Sequence, residues 1–161
     1  MKIINAKESP STEGDFFCMI LSLPDFSAYH EIGRVPSEGF MNLSLCMIVR
    51  NEEETIGRCL AGVAEACDEI IIVDTGSTDK TKEIAGKYTD KIYDFAWNDD
   101  FSAARNFSFS KATGDFILWL DADDVLTFEE LEKFIDFKKT LSEKDDVVLM
   151  RYECAFDEDG N

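Results

Sequence analysis

Phe116-Ile117-Leu118-Trp119-Leu120-Asp121-Ala122-Asp123-Asp124 is an apolar run that ends abruptly in acid. The run is short and made of large side chains, so it predicts a buried strand. Side chains of a strand alternate, which predicts Asp121 and Asp123 on the same side. Two carboxylates at the carboxyl end of a buried strand suit a divalent cation whose other positions are taken by water and phosphate. The same letters also suit a strand followed by the acidic start of a helix. The stretch alone leaves both readings open.

Working outward, the pattern alternates between strands and helices. Leu43 to Val49 and Glu69 to Val73 predict two more buried strands, and Lys91 to Phe95 a short one. Between them lie predicted helices over 53–66, 79–87 and 101–111, with a further one over 127–140 and a last strand over 145–156. The helix over 53–66 carries Ile56, Leu60, Val63 and Ala64 on one face. Asn51 is its expected cap, with Glu52, Glu53 and Glu54 at its dipole-favoured end. In the last helix Leu131, Phe134 and Ile135 are expected to face inward. Strand–helix alternation predicts an α/β fold, a mostly parallel sheet with helices on both faces. Ligands of such sheets bind at the carboxyl ends of the strands. That rule gathers 50–52, 74–79 and 121–124 onto one edge.

Residues 1–41 read differently. All three prolines of the chain fall there, glycines punctuate the segment, and no clean period emerges. The expected organisation is an irregular N-terminal extension over 1–41 and one domain over 42–161. The chain closes on Asp157-Glu158-Asp159-Gly160-Asn161, a turn sequence after a strand, so the domain is expected to be truncated and to continue beyond Asn161.

The chain has 161 residues and a formal net charge of −18. That surface repels nucleic acid, which removes that class of partner, and it argues against binding an anionic membrane through a basic patch. It also repels phosphorylated ligands unless metal ions or local Arg and Lys reverse the sign. No transmembrane segment is predicted. Cys18, Cys46, Cys59, Cys67 and Cys154 are scattered and odd in number, which predicts reduced thiols and a cytoplasmic location. The one histidine, His30, reads as a solvated loop residue.

Besides the acids at 121 and 123, two groups carry candidate chemistry. Asp74 at a strand tip can accept from a base imide or a ribose hydroxyl. Gly76 after it permits a tight turn, and Ser77, Thr78 and Asp79 suit the start of the next helix. Arg105 can pair with phosphate or lock a carboxylate in place; a surface ion pair accounts for it equally well.

In order along the chain stand Met47-Ile48-Val49-Arg50-Asn51-Glu52-Glu53, Ile72-Val73-Asp74-Thr75-Gly76-Ser77-Thr78-Asp79, Ala104-Arg105-Asn106, and Gly114-Asp115 leading into the aspartate-tipped strand. Together they resemble the family 2 glycosyltransferases, inverting enzymes of GT-A fold, from about Leu43 to Leu126. The resemblance implies a donor-binding half with a Rossmann-like GT-A sheet. Val49, Arg50, Asn51, Glu52 and Asp74 would hold the base and ribose of a nucleotide-diphospho-sugar, a UDP-sugar first among candidates. Asp121-Ala122-Asp123 would be the DxD motif. Asp123 would ligate Mg²⁺ or Mn²⁺, Asp121 the ribose or the metal's water shell, and Arg105 would order this edge. Arg50 stands where many members carry tyrosine. The family's general base comes later in the chain, so it is expected beyond Asn161 and the acceptor is open. Peripheral attachment at the inner membrane face is the alternative location. Rival readings are a nucleotide-sugar-binding fragment without transfer and a haloacid-dehalogenase-like phosphatase built on Asp121 and Asp123.

Overall fold

A computed structural model describes residues 16–22, 41–142, 145 and 147–152. Its centre is strand β2 (Leu43–Val49), whose limits are those read from the sequence. Leu43, Leu45, Met47 and Val49 point to one face and Cys46 to the other, all buried. Strand β3 (Glu69–Asp74) lies parallel to β2, pairing Ser44 with Glu69 and Val49 with Asp74. Its Ile70 to Val73 run is buried on both sides, as β-branched residues in a covered parallel sheet should be.

The chain moves outward from β2 to β3 to β4 (Ile92–Asp94), through helices α1 (Ile56–Val63) and α2 (Thr81–Ala85). Right-handed crossovers taken in one direction place both helices on one face. The chain then returns through α3 (Phe101–Phe109) to β5 (Phe116–Trp119), which pairs with the other side of β2. Reversing direction puts α3 on the opposite face. Ile56, Cys59, Leu60 and Val63 of α1 therefore join the β2 core on one side, while Phe109 of α3 packs with Cys46, Ile71, Val73 and Ile117 on the other. Helix α4 (Phe128–Lys138) returns to the α1 face through Leu131 and Phe134, with Ile135 partly buried. A capping box starts it: the Thr127 hydroxyl accepts from Glu130 N–H and the Glu130 carboxylate from Thr127 N–H.

The sheet order is β4-β3-β2-β5-β1-β6, where β1 is Phe16–Ser22 and β6 is Val147–Tyr152. Strands β4, β3, β2 and β5 are parallel to one another, and β1 runs antiparallel to both β5 and β6. The expectation of irregularity over 1–41 is thus corrected at 16–22. That apolar run lies in the sheet because an unpaired edge of β5 offers it a full ladder of hydrogen bonds. His30 and the rest of 1–15 and 23–40, and the closing turn at 157–161, fall outside the described residues.

Helix starts differ more from expectation than strands do. Asn51 does not cap α1. Its φ is +56°, and the helix begins at Ile56 after Thr55, with Glu52–Thr55 forming a preceding turn. The three acids precede the helix rather than filling its first turn. Likewise α2 begins at Thr81, and neither Ser77 nor Thr78 caps it. Both departures have one cause, the contact between the two loops described next. Asp100 does cap α3, its side chain accepting from Ala103 N–H at 3.0 Å.

Candidate functional site

The strand order reverses between β2 and β5, and a crevice forms at such a switch point, outside the carboxyl ends of the strands. The tips that meet there are those of β3, β2 and β5, in that sequence across the sheet. Asp74 ends β3, Arg50 follows β2, and Asp121 follows β5. Two strand spacings, about 10 Å, separate the outer pair.

Asp74 is 1% exposed. Its Oδ1 accepts from the N–H groups of Gly76 and Ser77, each at 2.9 Å. Those bonds turn the chain sharply, and Gly76 takes a φ of +107° that few side chains tolerate. The other oxygen, Oδ2, is buried and has no partner. A buried carboxylate oxygen without a donor costs about 1–3 kcal/mol. Its presence at a strand tip is a cost that a ligand N–H or O–H would remove.

The loops after β2 and β3 are cross-linked residue by residue. The N–H groups of Asn51, Glu52 and Glu53 donate to Ser77 Oγ (2.9 Å), Thr81 Oγ1 (2.7 Å) and Asp79 Oδ2 (3.1 Å). In the other direction Thr78 N–H donates to Asn51 Oδ1 (2.8 Å) and Lys80 N–H to Glu53 Oε2 (3.0 Å). Thr81 Oγ1 in turn donates to Asp79 Oδ1 at 2.5 Å. Asn51, Ser77, Thr78 and Asp79 are therefore clasp residues. This work was missed in the sequence, where each looked like a helix cap. The usable signal was that cap residues stood in both loops of neighbouring strands at once. The clasp fixes the backbone on either side of Arg50 and Asp74 without occupying the crevice.

On the β5 side the alternation argument fails. The strand stops at Trp119, and Ala122 and Asp123 lie in a turn. Asp121 N–H donates to Asp124 Oδ2 at 2.8 Å, and Asp124 N–H to the Asp121 carbonyl at 3.2 Å. Asp121 and Asp123 are thus related by a turn, not by a strand's period. The turn forms because Asp124 offers its carboxylate to the backbone where the β2 ladder has ended. Ala122 is 5% exposed and belongs to the α1-side core, which anchors the turn. Beneath it the Cys59 thiol donates to the Asp121 carbonyl at 3.5 Å, and burial followed by the nearby aspartates pushes that thiol up to about 12.

Burial and then the charges of Asp124 and Asp123 raise the Asp121 carboxyl above its ordinary value, opposed by Arg105. Arg105 comes from α3. Its guanidinium carbon lies 3.5 Å from the centroid of the Trp119 ring, and its buried Nε has no partner. Burial lowers it and the Asp121 charge raises it. The structure therefore brings Arg105 and Glu52 within electrostatic reach of Asp121, with Asp74 on the far side of the β2 tip.

A divalent cation fits this chemistry. The carboxylates of Asp121 and Asp123 are hard oxygen donors, and neither makes an ion pair among the described residues. No three Asp, Glu, His or Cys side chains among the described residues converge to enclose an ion. A cation here would take one or two protein ligands and fill the rest of its shell from phosphate and water, the usual arrangement for Mg²⁺. Cys46 and Cys59 are buried and Cys67 is partly buried. No helix among the described residues is long and apolar enough to cross a membrane.

Comparison with known proteins adds relatives. The sequence model of the family described as Glycosyl transferase family 2 matches residues 44–161. A TPR repeat-containing protein of Synechococcus elongatus is 50% identical over 103 residues, covering 62% of this chain and 26% of its own length. The SPbeta prophage-derived glycosyltransferase SunS of Bacillus subtilis is 32% identical over 124 residues, covering 76% of this chain and 28% of its own. Among solved structures, S. aureus TarS 1-349 superposes with a TM-score of 0.50 at 30% identity, over 60% of this chain and 32% of that one. The same TarS fragment has been solved in complex with UDP. The chain spans about a quarter to a third of the length of these relatives.

Proposed function

The chain belongs to glycosyltransferase family 2 and has a GT-A-like fold, and from that premise we propose that residues 42–161 form its donor-binding domain. The ligand is a nucleotide-diphospho-sugar, a UDP-sugar in the first instance, held with Mg²⁺ or Mn²⁺ for inverting transfer of the sugar to an acceptor hydroxyl. The observation that carries this reading is the Asp74 carboxylate, buried with one oxygen unpartnered, two strands from the Asp121–Asp124 turn across the switch point. UDP bound to TarS supports the choice of base. Family membership leaves the dehalogenase-like alternative without support.

Each group then has a task set by its position. Asp74 Oδ2 accepts from the base imide or from a ribose hydroxyl. The clasp through Asn51, Glu52 and Glu53 keeps the Val49–Glu52 segment rigid, so the pocket wall needs little reordering on binding. Asp123, with Asp121, holds the cation, and Ala122 seats the turn in the core. When bound, that ion offsets the charge developing on the diphosphate leaving group. Arg105, stacked on Trp119, opposes the repulsion among the aspartates and orients Asp121. Inverting transfer also needs a base to take the acceptor proton, and none of the described residues is assigned that role.

Calorimetric titration with UDP tests the reading. Wild-type chain should bind UDP more tightly with Mn²⁺ than with chelator. Asp123→Ala should erase that difference, a loss of about 100-fold or more in the metal-dependent part, while the unfolding midpoint is kept. Identical wild-type isotherms with and without Mn²⁺ would overturn it.

A further inference from the structure

The donor site has an electrostatic problem that the carboxylates make worse. A nucleoside diphosphate is an anion, the chain carries −18, and Glu52, Asp121, Asp123 and Asp124 stand at the same edge. Cations there are mostly committed. Lys82 is paired with Asp94 at 2.8 Å, and Arg105 lies on Trp119. Arg50 is different. It is exposed, and it makes no hydrogen bond, ion pair or ring contact among the described residues.

Its position is also fixed. Val49 before it is locked in the ladder opposite Asp74, and Asn51 after it is held at φ +56° by Ser77 and Thr78. The side chain is free on an anchored backbone. A ligand that reaches from Asp74 to the Asp121–Asp123 turn must pass over the tip of β2, which lies between them in the sheet. What crosses there is the part of the donor joining nucleoside to metal, the phosphates.

We propose that Arg50 is a diphosphate-binding residue, pairing its guanidinium with the donor's phosphate oxygens, so that the site retains affinity for the diphosphate without a metal. The proposal rests on the donor-site reading above. A planar guanidinium matches two phosphate oxygens at once.

Titrations of the 161-residue chain with uridine and with UDP, in chelator and at low salt, separate the possibilities. Arg50→Gln should weaken UDP binding about tenfold to a hundredfold and leave uridine binding unchanged. Arg50→Lys should recover part of the loss. In about 1 M NaCl, where the screening length falls to about 3 Å, wild type and Arg50→Gln should converge. Equal loss for uridine and UDP would overturn the proposal in favour of base stacking. Unchanged UDP binding in Arg50→Gln, with wild type still binding, would overturn it while sparing the donor site. A wild-type chain that binds neither probe would overturn both.

Discussion

Glu69 opens strand β3 and Asp74 closes it, and the two carboxylates live under opposite conditions. The Glu69 side chain is 7% exposed and fully engaged. It accepts from Lys91 Nζ at 2.5 Å, from Thr113 N–H at 2.8 Å and Thr113 Oγ1 at 2.9 Å, and from the Ser44 hydroxyl in a short bond. It thereby ties β2, β3, the start of β4 and the α3–β5 loop into one knot. Gly114 completes the closure: a Cβ there would lie 2.7 Å from Ser44 Oγ and 2.9 Å from the Asn42 carbonyl oxygen. Asp74, more deeply buried, has half its carboxylate unanswered. One end of the sheet is satisfied internally and carries stability. The other keeps an open valence, which the proposed donor site would use for binding. The same residue chemistry serves both, and partner count distinguishes them.

The contrast breaks most visibly at Glu69. Glu69→Ala strands Ser44, Lys91 and Thr113 together, and should cost about 2–4 kcal/mol in urea unfolding with UDP affinity of the folded protein unchanged. The knot also sets an acid limit. The Lys91, Ser44 and Thr113 hydrogen bonds outweigh burial and hold the Glu69 carboxyl below its ordinary value of 4.5. The native state therefore binds fewer protons than the unfolded chain just below that value, so stability is present above it and is lost as pH falls through the lowered native pKa. Glu69→Gln should flatten this acid slope in unfolding curves taken between pH 5 and about pH 3.

Asp74→Asn sharpens the comparison from the other end. The amide oxygen can still accept from Gly76 and Ser77, and the amide nitrogen replaces the unpartnered oxygen. Stability should change by less than about 1 kcal/mol, whereas UDP affinity should fall about tenfold or more, read by titration. Loss of stability comparable to Glu69→Ala would show that Asp74 is structural.

The smallest effect belongs to Asp121. Its carboxyl is raised by burial and by Asp124 and Asp123, so its ionisation opposes folding in metal-free protein, and stability falls as pH rises through this range. Asp121→Asn should therefore raise the unfolding free energy in chelator at neutral pH, by about 0.5 kcal/mol after solvent screening. The sign is opposite to that at Glu69, and thermal or urea unfolding of the two variants side by side checks it.

Legibility in the sequence followed the range of the interactions. The β2 limits, the start of α4 near Thr127 and the inward face of α4 depend on side-chain period and on neighbours three or four residues away, and all three were readable. The Asn51–Ser77–Thr78 clasp was not, because its partners are 26 and 27 residues apart and each residue has a local use that looks sufficient. The relation of Asp121 to Asp123 was misread because the strand period was carried past Trp119, where pairing with β2 has already stopped. The strand at 16–22 was hidden by the prolines and glycines around it.

Hydrophobic period and strand–helix alternation settled, from the letters alone, that 50–52, 74–79 and 121–124 share an edge, since a helix between successive strands makes them parallel and brings their carboxyl ends to one side. Only the folded arrangement decided which acids on that sheet are satisfied and which are left open. Whether a carboxylate is paired depends on donors brought from other strands and loops, and those meet it only when the sheet has closed around them.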